Sequence, residues 1–462
     1  MRIEHDFLGE MEVPDEVLYG VQTMRAMENF KITHQHLDPE FIASLAKVKK
    51  AAAIANMETS RLTPRIGQAI ITAANEVING RWDDQFPVDP IQGGAGTSIN
   101  MNMNEVLANR ALDILEEPRG SYDIVSPNNH VNMAQSTNDS FPTGIKVCLC
   151  SKSHRLLTAL DDLADGLDAK ANEFHDVIKM GRTHLQDAVP ITLGQEMAAY
   201  ASAVRRAVRR IETAIEGIHV INMGATAVGT GLNAEPKYIR LVAEHLAAIT
   251  KEDFRTAENL VDATNNTDGF ADVSAAMKVT AIVLIKMAND IRLMASGPRC
   301  GLNELKLPAR QPGSSIMPGK VNPVIAEVLD QVCYQVVGND LALSMAVENG
   351  QFELNVMEPV MAFNLFNSMN YMTEAVNTFR EKLLEGLEAN RRQCAEWVRH
   401  SVGVVTALLP HIGYENSARL ARKAYQTGRP IEEIVEEEGL LSASRLHSIL
   451  SPEHMTTPGI AS

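Results

Sequence analysis

Five stretches of this chain, at 151–176, 194–222, 270–297, 324–349 and 360–390, each run for about 25 residues or more with apolar residues at helical spacing. In 194–222 the apolar positions are Met197, Tyr200, Ala201, Val204, Val208, Ile211, Ile215 and Ile218, three or four residues apart. Arg205, Arg206, Arg209, Arg210 and Glu212 fall between them. One side of such a helix must be buried and the rest solvated. Helices this long, one after another, have few ways to bury their stripes other than side by side, so the pattern predicts a long-helix bundle. Period-two alternation is scarce, and no internal repeat or low-complexity segment breaks the pattern.

The flanks differ in texture. The first ninety residues mix shorter helical segments with turns marked by Pro14, Pro39, Pro64, Pro87 and Pro90, and after about 393 the elements shorten again around Pro410, Gly413, Gly428 and Pro430. The expected fold is all-α, with a mostly helical N-terminal domain over 1–138, a central long-helix bundle over 139–392 and a small helical C-terminal domain over 393–462.

Charge narrows the partners. A formal net charge of -16 without long single-sign blocks repels nucleic acid and anionic membrane. A site for an anion in such a chain must build its own local positive field. The first residues, MRIEHDFLGE, are charged from the second position and do not resemble a signal peptide. The most apolar helix, around 279–285, is closed off by Lys278 and Lys286, far short of the roughly 20 residues a bilayer requires. The five cysteines (148, 150, 300, 333, 394) form no paired framework and read as buried, reduced thiols in a cytoplasmic protein. No zinc, Walker or dinucleotide pattern occurs, and His34 and His36 have no companion ligands. The expectation is therefore no metal and no organic cofactor; activation by a divalent ion is not legible here.

Four polar connections between the helical stretches stand out, because binding groups concentrate in loops held by rigid elements. Gln92 to Asn100, rich in glycine, precedes a helix start; it suits backbone approach to an anion, or equally a turn with a Thr or Ser cap. His130 to Asp139 offers Ser136, Thr137, Asn138 and Asp139 in a row, where a cap needs one such residue. Met180 to Pro190 places His184 after a Gly-Arg-Thr turn. Pro312 to Pro323 is the most distinctive: three prolines and two glycines, a pair of serines, and Lys320 as its charged group, the composition of a mobile lid that carries chemistry.

GSSIMPGKVNP (313–323) resembles the signature of the aspartase/fumarase superfamily. In the same order as in that family stand GVQTMRAMENF (20–30), GGAGTSINMNMNEVLANRAL (93–112), NMAQSTNDSFPT (132–143), GRTHLQDAVPITLGQE (181–196), GATAVGTGLN (224–233) and PHIGYENSARLA (410–421). The resemblance spans nearly the whole chain. Class II fumarases typically read Ser-Gly-x-Gly-Thr-Gln and Ser-Ser-Asn-Asp where this chain has Gly93–Ser98 and Ser136–Asp139, so the aspartase members are the nearer match, with fumarase as the alternative. A relative that kept the fold and lost its activity is a further alternative, but its polar loops would have decayed.

The resemblance implies elimination of ammonia from L-aspartate to give fumarate, through an aci-carboxylate intermediate, in a homotetramer with shared active sites. By matching position, Ser314 is the general base. Thr183, Lys320 and Asn322 match binders of the α-carboxylate, and Ser136, Thr137 and Ser315 those of the β-carboxylate. Thr97, Asn138 and His184 match groups around the leaving amine. Met317 lines the pocket, and Glu327 pairs with His184.

Overall fold

A computed structural model describes residues 1–460. An N-terminal hairpin, β1 (Arg2–Asp6) and β2 (Gly9–Val13), is followed by α1 (Val21–Asn29), α2 (Pro39–Glu58), α3 (Pro64–Ile78) and α4 (Thr97–Ile114). Then come α5 (Thr137–Glu173), the hairpin of β3 (Ile178–Thr183) and β4 (Gln186–Thr192), and α6 (Leu193–Gly217). After α7 (Pro236–Thr250) and α8 (Leu260–Asn265) run three further long helices, α9 (Asp268–Met294), α10 (Val324–Glu348) and α11 (Glu358–Phe379). The chain closes with α12 (Arg391–His400), α13 (Val405–Thr427), α14 (Ile431–Glu438) and two shorter helices. Among the described residues the strands form two-stranded sheets alone. The expected all-α class holds, and among the described residues no helix is long and apolar enough to cross a membrane.

The chain forms two compact units, one of Met1–Leu157, Arg209–Val279 and Tyr334–Met372, the other of Thr158–Val208, Thr280–Cys333 and the chain from Thr373 on. Each of the five long helices contributes residues to both.

Helix boundaries follow local chemistry. Pro39 and Pro64, read from sequence as turn markers, instead open α2 and α3 at the first helical position, where a missing N–H costs nothing; the Asp38 carboxylate caps α2 by accepting from Glu40 N. The stretch expected from 151 begins at Thr137. Ser136 Oγ accepts from Asn138 N (3.2 Å) while Ser136 N donates to Asp139 Oδ1 (2.9 Å), a reciprocal cap. Pro142 lies inside α5 and leaves Asn138 O without its helical donor; Asn222 Nδ2 fills that place at 3.0 Å. Gly96 starts α4 with φ of 86°, and a Cβ there would stand 2.6 Å from the Phe141 ring, so both conformation and space require glycine. The last long stretch is α-helical to Phe379 and continues as a π-helical turn over Arg380–Leu384, so it stops short of 390.

In the first unit α1 has no capping side chain of its own. Glu105, buried on α4, accepts from the N–H groups of Gly20, Gln22 and Thr23 (2.8–3.1 Å) and from the Thr23 hydroxyl (2.7 Å). Burial pushes its carboxyl up to about 7 against those donors. In the second unit Leu408, Leu420, Ile431, Ile434, Leu446 and Ile449 pack around Val398 and Met180, and α13 breaks at Gly413. Cysteines 148, 150, 333 and 394 are buried as expected. Cys300 is exposed instead, because it lies in the turn after α9 rather than on an apolar helix face.

Candidate active site

The first set of expected site residues gathers around a cavity of about 650 Å³ in the first unit. Ser136 and Thr137, at the start of α5, line it together with Asn100 of α4, Asn132, Gln135 and Thr226. Thr137 is 8% exposed, and its Oγ1 accepts from Asn100 Nδ2 at 3.1 Å. Beneath these side chains lies Lys49 of α2, fully buried. Its Nζ donates to Asn100 Oδ1 (2.6 Å), Gln135 Oε1 (2.9 Å) and Asn132 Oδ1 (3.1 Å). Burial lowers the Lys49 ammonium to about 7, with the charge of Asp139 acting the other way. Asp139 is itself buried and raised to about 7 by desolvation, although the N–H groups of Ser136, Gly224 and Thr226 converge on it. The arrangement is a pocket floor of amides and hydroxyls over a buried cation, suited to holding a carboxylate.

Thr97 and Asn138 do not line this cavity. The exposed Thr97 donates its hydroxyl to Gly94 O (2.7 Å), and Asn138 Nδ2 donates to Ala227 O (2.7 Å).

The second set lies in the other unit. The Met180–Pro190 connection, expected as a loop, is the β3–β4 hairpin. Thr183 stands opposite Gln186, and the two residues of the turn, His184 and Leu185, have φ of 56° and 60°. Two consecutive left-handed residues make the tight turn whose twist matches the strands, usually built from glycine or asparagine. Here it holds His184 out at an exposed tip. The ladder shifts register around Gly181, where a Cβ would meet Val189 O at 2.6 Å. Arg182 Nη1 donates to the fully buried Glu304 Oε1 at 2.8 Å, and Lys179 lies between Glu196 Oε2 (3.1 Å) and Glu304 Oε2 (3.6 Å). Arg182 is thereby committed to the scaffold.

The 313–323 loop is tied by Gly313 N to Lys320 O (2.7 Å) and by Asn322 Nδ2 to Gly313 O (2.8 Å). Ser315, Met317 and Lys320 are exposed. Among the described residues Lys320 forms no ion pair. Ser314 Oγ accepts from the N–H groups of Ile316 and Met317, each at 3.2 Å, so two backbone dipoles point at the atom on which an alkoxide would form. Glu327 is half-buried in the first turn of α10, and among the described residues no hydrogen bond or ion pair within one chain joins it to His184.

Reading by motif missed Lys49. It follows Leu45 and precedes Ala52 and Asn56 at helical spacing on the buried side of α2, so its one signal was a charge inside an apolar stripe. Asn100, Asn132, Gln135 and Thr226 stand within the motifs quoted above, but nothing in the sequence set them apart from their neighbours. Among the described residues no group of three or more His, Cys, Asp or Glu is arranged to hold a metal ion.

A family model described as Lyase matches residues 9–338, and one described as Fumarase C C-terminus matches 404–457. An aspartate ammonia-lyase of Bacillus sp is 57% identical over 100% of this chain and 98% of its own length, and one of Bacillus subtilis is 54% identical over 100% and 97%. A solved fumarate lyase:delta crystallin of Brucella melitensis bound to cobalt superposes with a TM-score of 0.97 at 45% identity, covering 99% of this chain and 100% of that one. A class II fumarase of Schistosoma mansoni gives a TM-score of 0.93 at 38% identity, over 98% of each chain.

Proposed function

The chain belongs to the aspartase/fumarase family of lyases, and from that premise we propose that it is a carbon–nitrogen lyase that reversibly eliminates ammonia from L-aspartate to give fumarate. The observation that carries the reading is the likeness to aspartate ammonia-lyases along the entire chain, together with Ser136-Thr137-Asn138-Asp139 in place of a paired serine.

The reaction removes a weakly acidic proton from the carbon beside the β-carboxylate and passes through an aci-carboxylate. In our reading Ser314 Oγ takes that proton. A serine hydroxyl is a very weak acid, and the two N–H groups that Ser314 Oγ accepts support its oxyanion form. Ser136, Thr137 and Ser315 donate to the β-carboxylate, where the negative charge grows; each well-placed donor of this kind is worth about 3 kcal/mol of barrier. Thr183, Lys320 and Asn322 hold the α-carboxylate. As the C–N bond breaks, the amine departs as ammonia past Thr97, Asn138 and His184, with Met317 against the substrate and Glu327 setting the proton on His184. The roles draw on side chains and backbone alone, so a reaction without cofactor remains part of the proposal.

The proposed assembly is a homotetramer in the cytoplasm, each site built from more than one chain. What supports self-association is α10, where Tyr334, Leu341 and Met345 are 55–64% exposed along one face. The test of the reaction is ultraviolet absorbance of fumarate on addition of L-aspartate and, separately, of L-malate. Fumarate from aspartate is expected; fumarate from malate alone would make the protein a hydratase.

A further inference from the structure

Lys49 is a cation buried, among the described residues, without a carboxylate in hydrogen-bond contact. The charge that bears on it is Asp139, and that carboxylate is occupied by three backbone N–H groups. All three hydrogen bonds from Lys49 Nζ end on amide oxygens, those of Asn100, Asn132 and Gln135. An amide whose oxygen is held by an ammonium must turn its N–H2 the other way. Asn100 shows the consequence most clearly. Its Oδ1 receives Lys49 Nζ at 2.6 Å, so its Nδ2 faces Thr137 Oγ1 at 3.1 Å and Asn132 Oδ1 at 3.3 Å. Gln135 follows the same rule, its Nε2 donating to Val131 O and Met133 O.

A threonine hydroxyl has one proton and can accept as well as donate. Thr137 Oγ1 already accepts from Asn100, and among the described residues its proton has no acceptor within the protein. That proton is left for whatever lies in the cavity. A serine or threonine is otherwise ambivalent toward an anion; this one is biased to donate before any ligand arrives.

We propose that Lys49 is a positioning residue of the carboxylate pocket: by holding the amide oxygen of Asn100 it fixes Thr137 as a hydrogen-bond donor, and its buried charge favours an anion above it. The inference deepens the proposed function and rests on a carboxylate binding at Thr137. Lys49 does not touch the substrate. It acts through Asn100 and selects the charge of the group that Thr137 binds.

Asn100→Asp is the sharp variant. The new carboxylate still accepts from Lys49, so the fold keeps a partner for its buried ammonium, but Thr137 now faces an acceptor and turns its proton inward. A bound carboxylate would then meet a hydroxyl oxygen in place of a hydroxyl proton, expected to weaken binding by ~10–100-fold. Succinate, a dicarboxylate that does not react, gives this reading by calorimetry without turnover. The KM for L-aspartate should rise by a similar factor while kcat changes less, and Tm should hold. Lys49→Gln should weaken succinate as well. A cycle with Thr137→Val separates positioning from direct repulsion by the new charge: if Asn100 acts through Thr137, Asn100→Asp weakens succinate less in the Thr137→Val background than in the parent. Additive losses in that cycle, or unchanged succinate affinity in folded Asn100→Asp, overturn the proposal. Wild-type protein that binds succinate yet makes no fumarate from aspartate would leave the positioning intact and defeat the proposed reaction instead.

Discussion

Ser136–Thr137 and Ser314–Ser315 are both short runs of hydroxyls, yet they stand in opposite surroundings. The first pair starts a 37-residue helix over a floor of amides and a buried lysine, and its hydrogen bonds are fixed before any ligand arrives. The second pair lies in an exposed loop in which Ser314 Oγ meets two backbone N–H groups and Ser315 faces solvent. The contrast assigns different work to identical chemistry. A hydroxyl locked in a buried network can bind with a defined polarity, because reorienting it would leave buried partners unsatisfied. A hydroxyl on an open loop becomes reactive only when covered, since water otherwise screens the dipoles that would hold its oxyanion.

The largest expected effect tests the reactive half. Ser314→Ala should lower kcat at least ~10²-fold with a modest change in substrate binding. If kcat survives and falls instead in His184→Ala, the base is the histidine. Next comes charge. Arg182 is held by buried Glu304, so Lys320 is the loop cation left for a carboxylate. Lys320→Met should raise the KM for aspartate roughly 30-fold, about 2 kcal/mol, and an unchanged KM would move the contact to another cation.

The third outcome concerns how the regions combine. Ser314→Ala and His184→Ala proteins, each inactive, are unfolded, mixed and refolded together. If a site draws these two loops from different chains, random assortment restores about a quarter of the sites. A mixture as inactive as its parents would place both loops in one chain's site.

The smallest effect probes the cost of the rigid half. Between about 4.5 and 7 the folded chain retains a proton on Glu105 that the unfolded chain has released, so this group's contribution to stability falls as pH rises through that window. Glu105→Gln, which does not titrate, should gain Tm relative to the parent between pH 4.5 and 7. A constant difference in Tm would mean that Glu105 is already ionised throughout.

Sequence by itself determined the helical class, because apolar spacing is local and the long stretches reported it within a few residues, except where α5 begins early and the last stretch ends early. It also picked out the polar segments at 92–100, 130–139, 180–190 and 312–323, since glycine, proline and hydroxyl clusters have no place inside an apolar stripe. Tertiary structure decided what those segments are. The His184 segment became a hairpin because strand pairing depends on a partner several residues away, and nothing in Gly-Arg-Thr-His announces a two-residue turn without glycine. Lys49 lies 51 residues from Asn100 and 86 from Gln135, and its role exists through those contacts alone. A buried charge is invisible to periodicity: the pattern records which face is covered, and only packing brings the groups that make the covering tolerable.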